Sequence, residues 1–205
     1  VRLEARLVEG RASVRTEVDA LEQVESALQI IAALSGLAQE NMNRTAGWRF
    51  LDTGRRIERG INICRCTHVL ARSGATIDDL DLLLDLADSQ ITYRARYLIG
   101  LALVPVRDMV MLDPFNTRAL AFQLVTLKQH LALLPALVDD GMLEPHARIL
   151  LALATQIETG DAASLDAAAI QGFETELMRL SDAIAARYFL QGANAVPTIK
   201  LAGLA

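Results

Sequence analysis

TAGWRFLDTGRRIERGINICRCTHVLARSG, Thr45 to Gly74, decides the fold. Phe50, Ile57, Ile61 and Cys64 recur at helical spacing and make one apolar stripe. Leu51, Arg55, Glu58 and Asn62 form a second stripe beside it. No period-2 alternation competes with this pattern, and Ser73-Gly74 ends it. The stretch therefore predicts a helix from about Thr45 to Arg72, with Glu58 at the margin of its core face.

Working outward, the same punctuation recurs. Upstream, Leu21, Val24, Leu28, Ile31 and Leu34 predict a helix from Ser13 to Gln39. Downstream, Thr76 with Asp79 approximates a capping box and opens a third helix that stops at Pro105. Leu80, Leu84, Ala87, Ile91, Ala95 and Leu98 are its expected core stripe. A short turn follows at Val106 to Met111. Asp113-Pro114 reads as N-cap and first residue of a fourth helix reaching Leu133. Glu144-Pro145 opens a fifth, and Leu165 to Leu190 supplies a sixth. Helices of about 25 residues, near 38 Å long, joined by short loops make an up-down bundle. The expected class is all-α, an antiparallel bundle of about six helices, several of them long. Residues 1–190 read as one helical domain and 191–205 as an extended or disordered tail.

Composition narrows the function. Hydrophobic residues are 52% and aromatics 4% of the 205, as expected of helices packed on helices. The formal net charge of −5 argues against a nucleic-acid platform. No apolar run is long enough for a membrane span. Cys64 and Cys66 are two apart on one helix and cannot bond to each other; they read as reduced cytoplasmic thiols. VRLEARLVEGR has neither an initiator Met nor a signal pattern, so the chain reads as part of a longer one. His68, His130 and His146 lack ligand spacing, and no phosphate loop, zinc pattern or nucleophile elbow is present. No metal or cofactor is expected from these patterns, and whether any residue is catalytic stays open.

Chemistry is concentrated in three places. On the Thr45 helix, Asp52 faces Arg56 at i+4, and Arg55, Glu58 and Arg59 crowd the same turns. Charges near a core must pair or meet a ligand. Two readings stand: an ion-pair network between helices, or an anion site for phosphate or carboxylate, which guanidinium forks suit. On the third helix, Ser89, Thr92 and Arg96 share a face with Asp85, and Tyr93 and Tyr97 lie beside it. Arg96 is the expected partner of Glu58. At the fourth helix, Asn116 and Arg118 project from the first turn.

GLAQENMNRTAGWRFLDTGRRIERG, ADSQITYRARYL and NTRALAFQL, in this order, resemble successive signatures of the bacterial alpha-E domain family. The resemblance covers residues 28–190. It implies an all-helical domain found beside, or fused to, ATP-grasp amide ligases. By carry-over it marks Arg44, Arg55, Arg56, Glu58, Arg59, Ser89, Thr92, Tyr93, Arg96, Asn116 and Arg118 as ligand-site candidates. The family's aromatic first-half segment is absent and GRRIERG resembles it, which implies the C-terminal part of a larger, internally duplicated domain. Thr117 stands where the family pattern has Pro. The expected function is an auxiliary domain for an ATP-grasp partner in cis or in trans, with an Arg/Glu cleft for a peptide carboxylate or phosphate. An enzyme acting on an amide or amino-acid conjugate, and a purely structural bundle, are the alternatives. Uncovered apolar stripes imply self-association.

Overall fold

A computed structural model of the protein describes residues 16–98, 100–135 and 141–190. The segment 191–205, read above as a tail, lies outside them. The described residues are mostly helical and contain no strand. In order they form α1 (Glu17–Asn41), α2 (Ala46–Leu70), α3 (Ile77–Leu86), α4 (Gln90–Arg96), α5 (Leu103–Arg107), a π-helical segment (Asp108–Leu112), α6 (Leu120–Leu131), α7 (Pro145–Glu158) and α8 (Ala167–Tyr188). The chain divides into two compact units, 1–48 and 49–205. The boundary falls in the first turn of α2, inside the span read as one domain. None of the described helices is long and apolar enough to cross a membrane.

The first unit is α1 and its flanks. Thr16 caps α1 through a capping box with Asp19. Its apolar stripe is exposed: Leu21 59%, Leu28 61% and Leu34 61%.

The second unit is built around α2. Ile57, Ile61 and Cys64 are buried, as their spacing predicts. Gly60 faces Leu177 and Leu120, and a Cβ there would come within 2.9 Å of one Leu177 methyl and 3.3 Å of one on Leu120. The missing side chain thus leaves room at Gly60 for the side-chain ends of Leu177 of α8 and Leu120 of α6. Contacts of Arg65 with Glu174 and of His68 with the Ala167 carbonyl run in opposite residue order, so α2 and α8 are antiparallel. Glu144 at the start of α7 meets Arg187 near the end of α8 through two hydrogen bonds of 2.8 and 2.9 Å. That pair is antiparallel too. Arg107 is buried and donates from Nε to the Ala71 carbonyl at 2.9 Å, filling an acceptor left open at the end of α2. Burial lowers its pKa, and the charge of Asp166 offsets part of this.

Val106 to Met111, read as a turn, is instead helical, the end of α5 and the π-helical segment, and two expectations of helix extent fail as well. The Thr76 helix keeps its capping box but is not continuous to Leu103. Asp88 adopts φ 48°, a left-handed conformation that ends α3 and starts α4 on a new axis. Ile91 and Leu98, extrapolated as core, are consequently 86% and 98% exposed. Pro105 does not stop a helix; it sits in the first turn of α5, where a missing N–H is tolerated. The second failure is at Asp113-Pro114. Asp113 Oδ1 accepts from the Phe115 N–H, and Asn116 Oδ1 accepts from the Arg118 N–H. These side-chain turns replace a helical start, and α6 begins only at Leu120.

Candidate functional site

Asp52, Arg56 and Gln123 organise the polar interior of the second unit. Arg56 donates from Nε to Asp52 Oδ2 at 3.0 Å, and from a terminal nitrogen to Gln123 Oε1 at 3.2 Å. His130 Nε2 lies 2.7 Å from Asp52 Oδ2. Gln123 in turn donates to the carbonyls of Thr117 and Ala119. Asp52 is 3% exposed and His130 6%. Burial by itself raises the Asp52 pKa. The hydrogen bonds from His130 and Arg56 and their charges outweigh it, and the net shift is downward. The Asp52–Arg56 pair follows from i,i+4 spacing. The role of His130, 78 residues away, does not.

Arg59 is set one turn further along α2 and differs sharply. It is half-buried and has no hydrogen-bonded or ion-paired partner among the described residues. Burial lowers its pKa, and the charges of Arg56, Arg118 and Arg55 push it further down, with Asp52 opposing. Arg59 and Arg118 line one open depression of about 150 Å³, together with Asn62, Ile63, Cys66, Leu86 and Ala87. This basic hollow joins the first and third sequence signatures and touches the second.

The second signature contributes mainly through Ser89 and its neighbours. Ser89 is buried, donates to the Ala87 carbonyl at 2.8 Å, and accepts from Asn116 Nδ2 at 3.0 Å. Asn116 also donates to the Met109 carbonyl. Arg118 forms an exposed pair with Asp88 at 3.2 Å. Such pairs contribute little to stability. Ser89 and Asn116 therefore tie the Arg118 loop to the start of α4 and to the π-helical segment.

Other candidates separate from the hollow. Glu58 is exposed, not at the core margin, because the α2 interface is centred on Thr53, Ile57 and Gly60. Arg96 does not pair with it; its terminal nitrogen meets Asp113 Oδ2 at 2.7 Å. Tyr93 is buried, donating to the Gly100 carbonyl and accepting from the Ala102 N–H, so it pins the segment after α4. Thr92 is exposed. Arg44 lies in the first unit, bonded to Gln39 and stacked 4.1 Å over Trp48. Arg55 is half-buried beside the basic group. Cys64 is buried, and burial, with the Glu174 charge, pushes its pKa to about 12, which disfavours the thiolate. No cluster of three His, Cys, Asp or Glu side chains that could hold a metal occurs among the described residues.

Residues 3–189 match the Alpha-E family, described as a predicted alpha-helical domain with a conserved ER motif. The sequence has one Glu-Arg dipeptide, Glu58-Arg59. An uncharacterised protein of Mycobacterium bovis is 28% identical over 154 residues, covering 72% of this chain and 17% of that protein. Uncharacterised proteins from two strains of Mycobacterium tuberculosis match to the same extent. The chain thus matches less than a fifth of the length of these relatives. No solved structure matches it.

Proposed function

The chain belongs to the Alpha-E family, and on that premise we propose that it is an anion-binding helical module serving an amide- or peptide-forming partner. One observation carries this reading: Arg59, a half-buried guanidinium, faces an open hollow beside Arg118 with no carboxylate of its own. Three nearby arginines raise the local positive potential. An incoming carboxylate or phosphate relieves that repulsion and takes charge-assisted hydrogen bonds from planar donors. The role is binding, not catalysis. The partner is an ATP-grasp ligase, in cis or in trans, whose peptide substrate or product the module holds by its carboxylate. The module works in the cytoplasm, where Cys64 and Cys66 stay reduced.

A second copy completes the reading. Val18, Leu21, Val24, Leu28, Ile31, Leu34 and Leu37 are each 48% to 62% exposed along α1. A row of seven such side chains is the kind of face a standard interface buries, at about 800 Å² from each partner. Glu17, Asp19, Glu22 and Glu25 crowd the first half of α1, and the helix carries no Lys or Arg. Antiparallel pairing keeps the two acidic halves apart.

Nuclear magnetic resonance titration tests the anion site. A short peptide with a free C-terminal carboxylate, its amidated counterpart and inorganic phosphate are added in turn. The free carboxylate or phosphate is expected to shift Arg59, Asn62 and Arg118, and the amidated peptide is not. Arg59→Gln with Arg118→Gln should weaken binding by about tenfold or more. Binding unchanged in that double variant, or no shift with either anion, overturns the reading. Sedimentation with Leu28→Glu tests the second copy: a dimer converted to monomer supports it, and a monomeric parent chain refutes it.

A further inference from the structure

A second depression, apart from the basic hollow, lies at the π-helical segment. Its Asp113 N–H reaches back to the Asp108 carbonyl at 3.0 Å, the i to i−5 bond of that geometry. Such segments occur mostly as single turns and often at functional sites. Here the turn presents Asp108 and Leu112 to a depression of about 320 Å³, walled by Leu124 of α6 and by Ala154 and Ile157 of α7. The volume is at the lower end of the range for small-ligand sites.

The carboxylates of this depression are not equivalent. Glu158, on the rim, is already paired with Lys128. Asp108 is half-buried, and its one side-chain bond is from a neutral phenol: the Tyr97 hydroxyl donates to Oδ2 at 2.7 Å. No cationic side chain pairs with Asp108 among the described residues. Burial, the hydrogen bond to Asp108 and the Asp108 charge push the Tyr97 pKa to about 12 against a hydrogen bond and the charge of Arg96, so this hydroxyl keeps its proton and donates to Asp108. It orients the carboxylate without neutralising it. A negative charge at the mouth of an apolar hollow calls for a cation, and the walls call for methylene groups behind it.

We infer that this depression is a second binding site, one that takes a primary ammonium on an aliphatic chain, with the ammonium on Asp108 and the methylenes against Leu112, Leu124 and Ile157. A lysyl side chain of a peptide and a free alkylamine share this chemistry. The inference is independent of the anion site.

Titration of the isotope-labelled chain with Nα-acetyl-lysine methylamide, its norleucine counterpart and n-butylamine tests it. The lysyl probe is expected to shift the methyl signals of Leu112, Leu124 and Ile157. The uncharged norleucine probe should bind about tenfold or more weaker, the loss of one charge-assisted contact. Asp108→Asn keeps an acceptor for Tyr97 and should abolish the preference for the charged probe. Val125→Trp, which narrows the hollow from α6, should block all three probes. Tight binding of the lysyl probe alone identifies a peptide lysine as the source, and equal binding of butylamine identifies a free amine. Equal binding of the lysyl and norleucine probes, lysyl binding unchanged in Asp108→Asn, or no methyl shift at all overturns the inference.

Discussion

Arg56 and Arg59 stand three residues apart on α2 and behave in opposite ways. Arg56 shares Asp52 with His130 and reaches Gln123, so its charge is absorbed into the interior of the second unit. Arg59 is also part-buried and faces three like charges instead. Four residues of sequence thus hold an ion-pair network on one turn and, on the next, the part-buried guanidinium on which the proposed anion site rests. The difference arises from neighbours distant in sequence. Gln123 and His130 come from α6, whereas Arg118 comes from the loop before it.

Asp52→Ala gives the comparison its hardest test. Removing the carboxylate leaves a part-buried guanidinium and a buried imidazole without their shared acceptor, and breaking a buried pair costs about 3–5 kcal/mol. Denaturant unfolding should show that loss. A change under 1 kcal/mol, the scale of an exposed pair, would mean that Arg56 and Arg59 are equivalent after all. Gly60→Ala should come next, at about 1–3 kcal/mol, because the new methyl overpacks Leu177 and Leu120. An unchanged melting temperature would show that these leucine ends move aside freely.

Acid titration separates the regions differently. Burial lowers the His146 pKa, with the Glu144 charge opposing and the Arg187 charge assisting. A base with a depressed folded pKa stabilises the fold above its unfolded value, ordinarily near 6.5. Stability should therefore fall as pH drops below that value, and His146→Gln should flatten this limb. Asp52 adds a second loss lower down: its folded pKa lies below the usual 3.8, so its contribution is present above 3.8 and disappears as pH falls through the folded value. A single acid transition unaffected by either substitution would refute this ordering. The smallest effect belongs to Glu58→Ala. Glu58 is exposed and unpaired among the described residues, so stability should change by no more than about 0.5 kcal/mol. A large loss would return Glu58 to the core margin where its spacing alone had put it.

That last contrast marks how far the sequence reaches. Ile57, Ile61 and Cys64 are buried because one long uninterrupted helix obeys its own period. Capping at Thr76 and the start at Pro145 are equally local and equally legible. Glu58 and Arg96 were misplaced because a stripe shows which residues share a face, not how wide the buried part of that face is. Ile91 and Leu98 were misplaced by carrying a 3.6-residue period through Asp88, whose left-handed backbone resets it. Asp113 offered a valid N-cap, yet two successive side-chain turns used the same residues otherwise. The signatures did locate Arg59, Ser89, Asn116 and Arg118 in one neighbourhood. They could not supply His130, which lies in no signature, or the π-helical turn, which leaves no periodic trace.

Arg107 and Asp108 are consecutive, and their side chains serve different masters. Arg107 clamps the last turn of α2 from inside, and Asp108 faces the apolar hollow. The clamp is therefore a mechanical linkage. If the π-helical segment slides or rewinds toward ordinary helix, the guanidinium must either drag the end of α2 along or surrender its acceptor in the interior. If the hollow binds as inferred above, a shift of the π-helical segment on binding reaches the end of α2 through Arg107 and the Ala71 carbonyl.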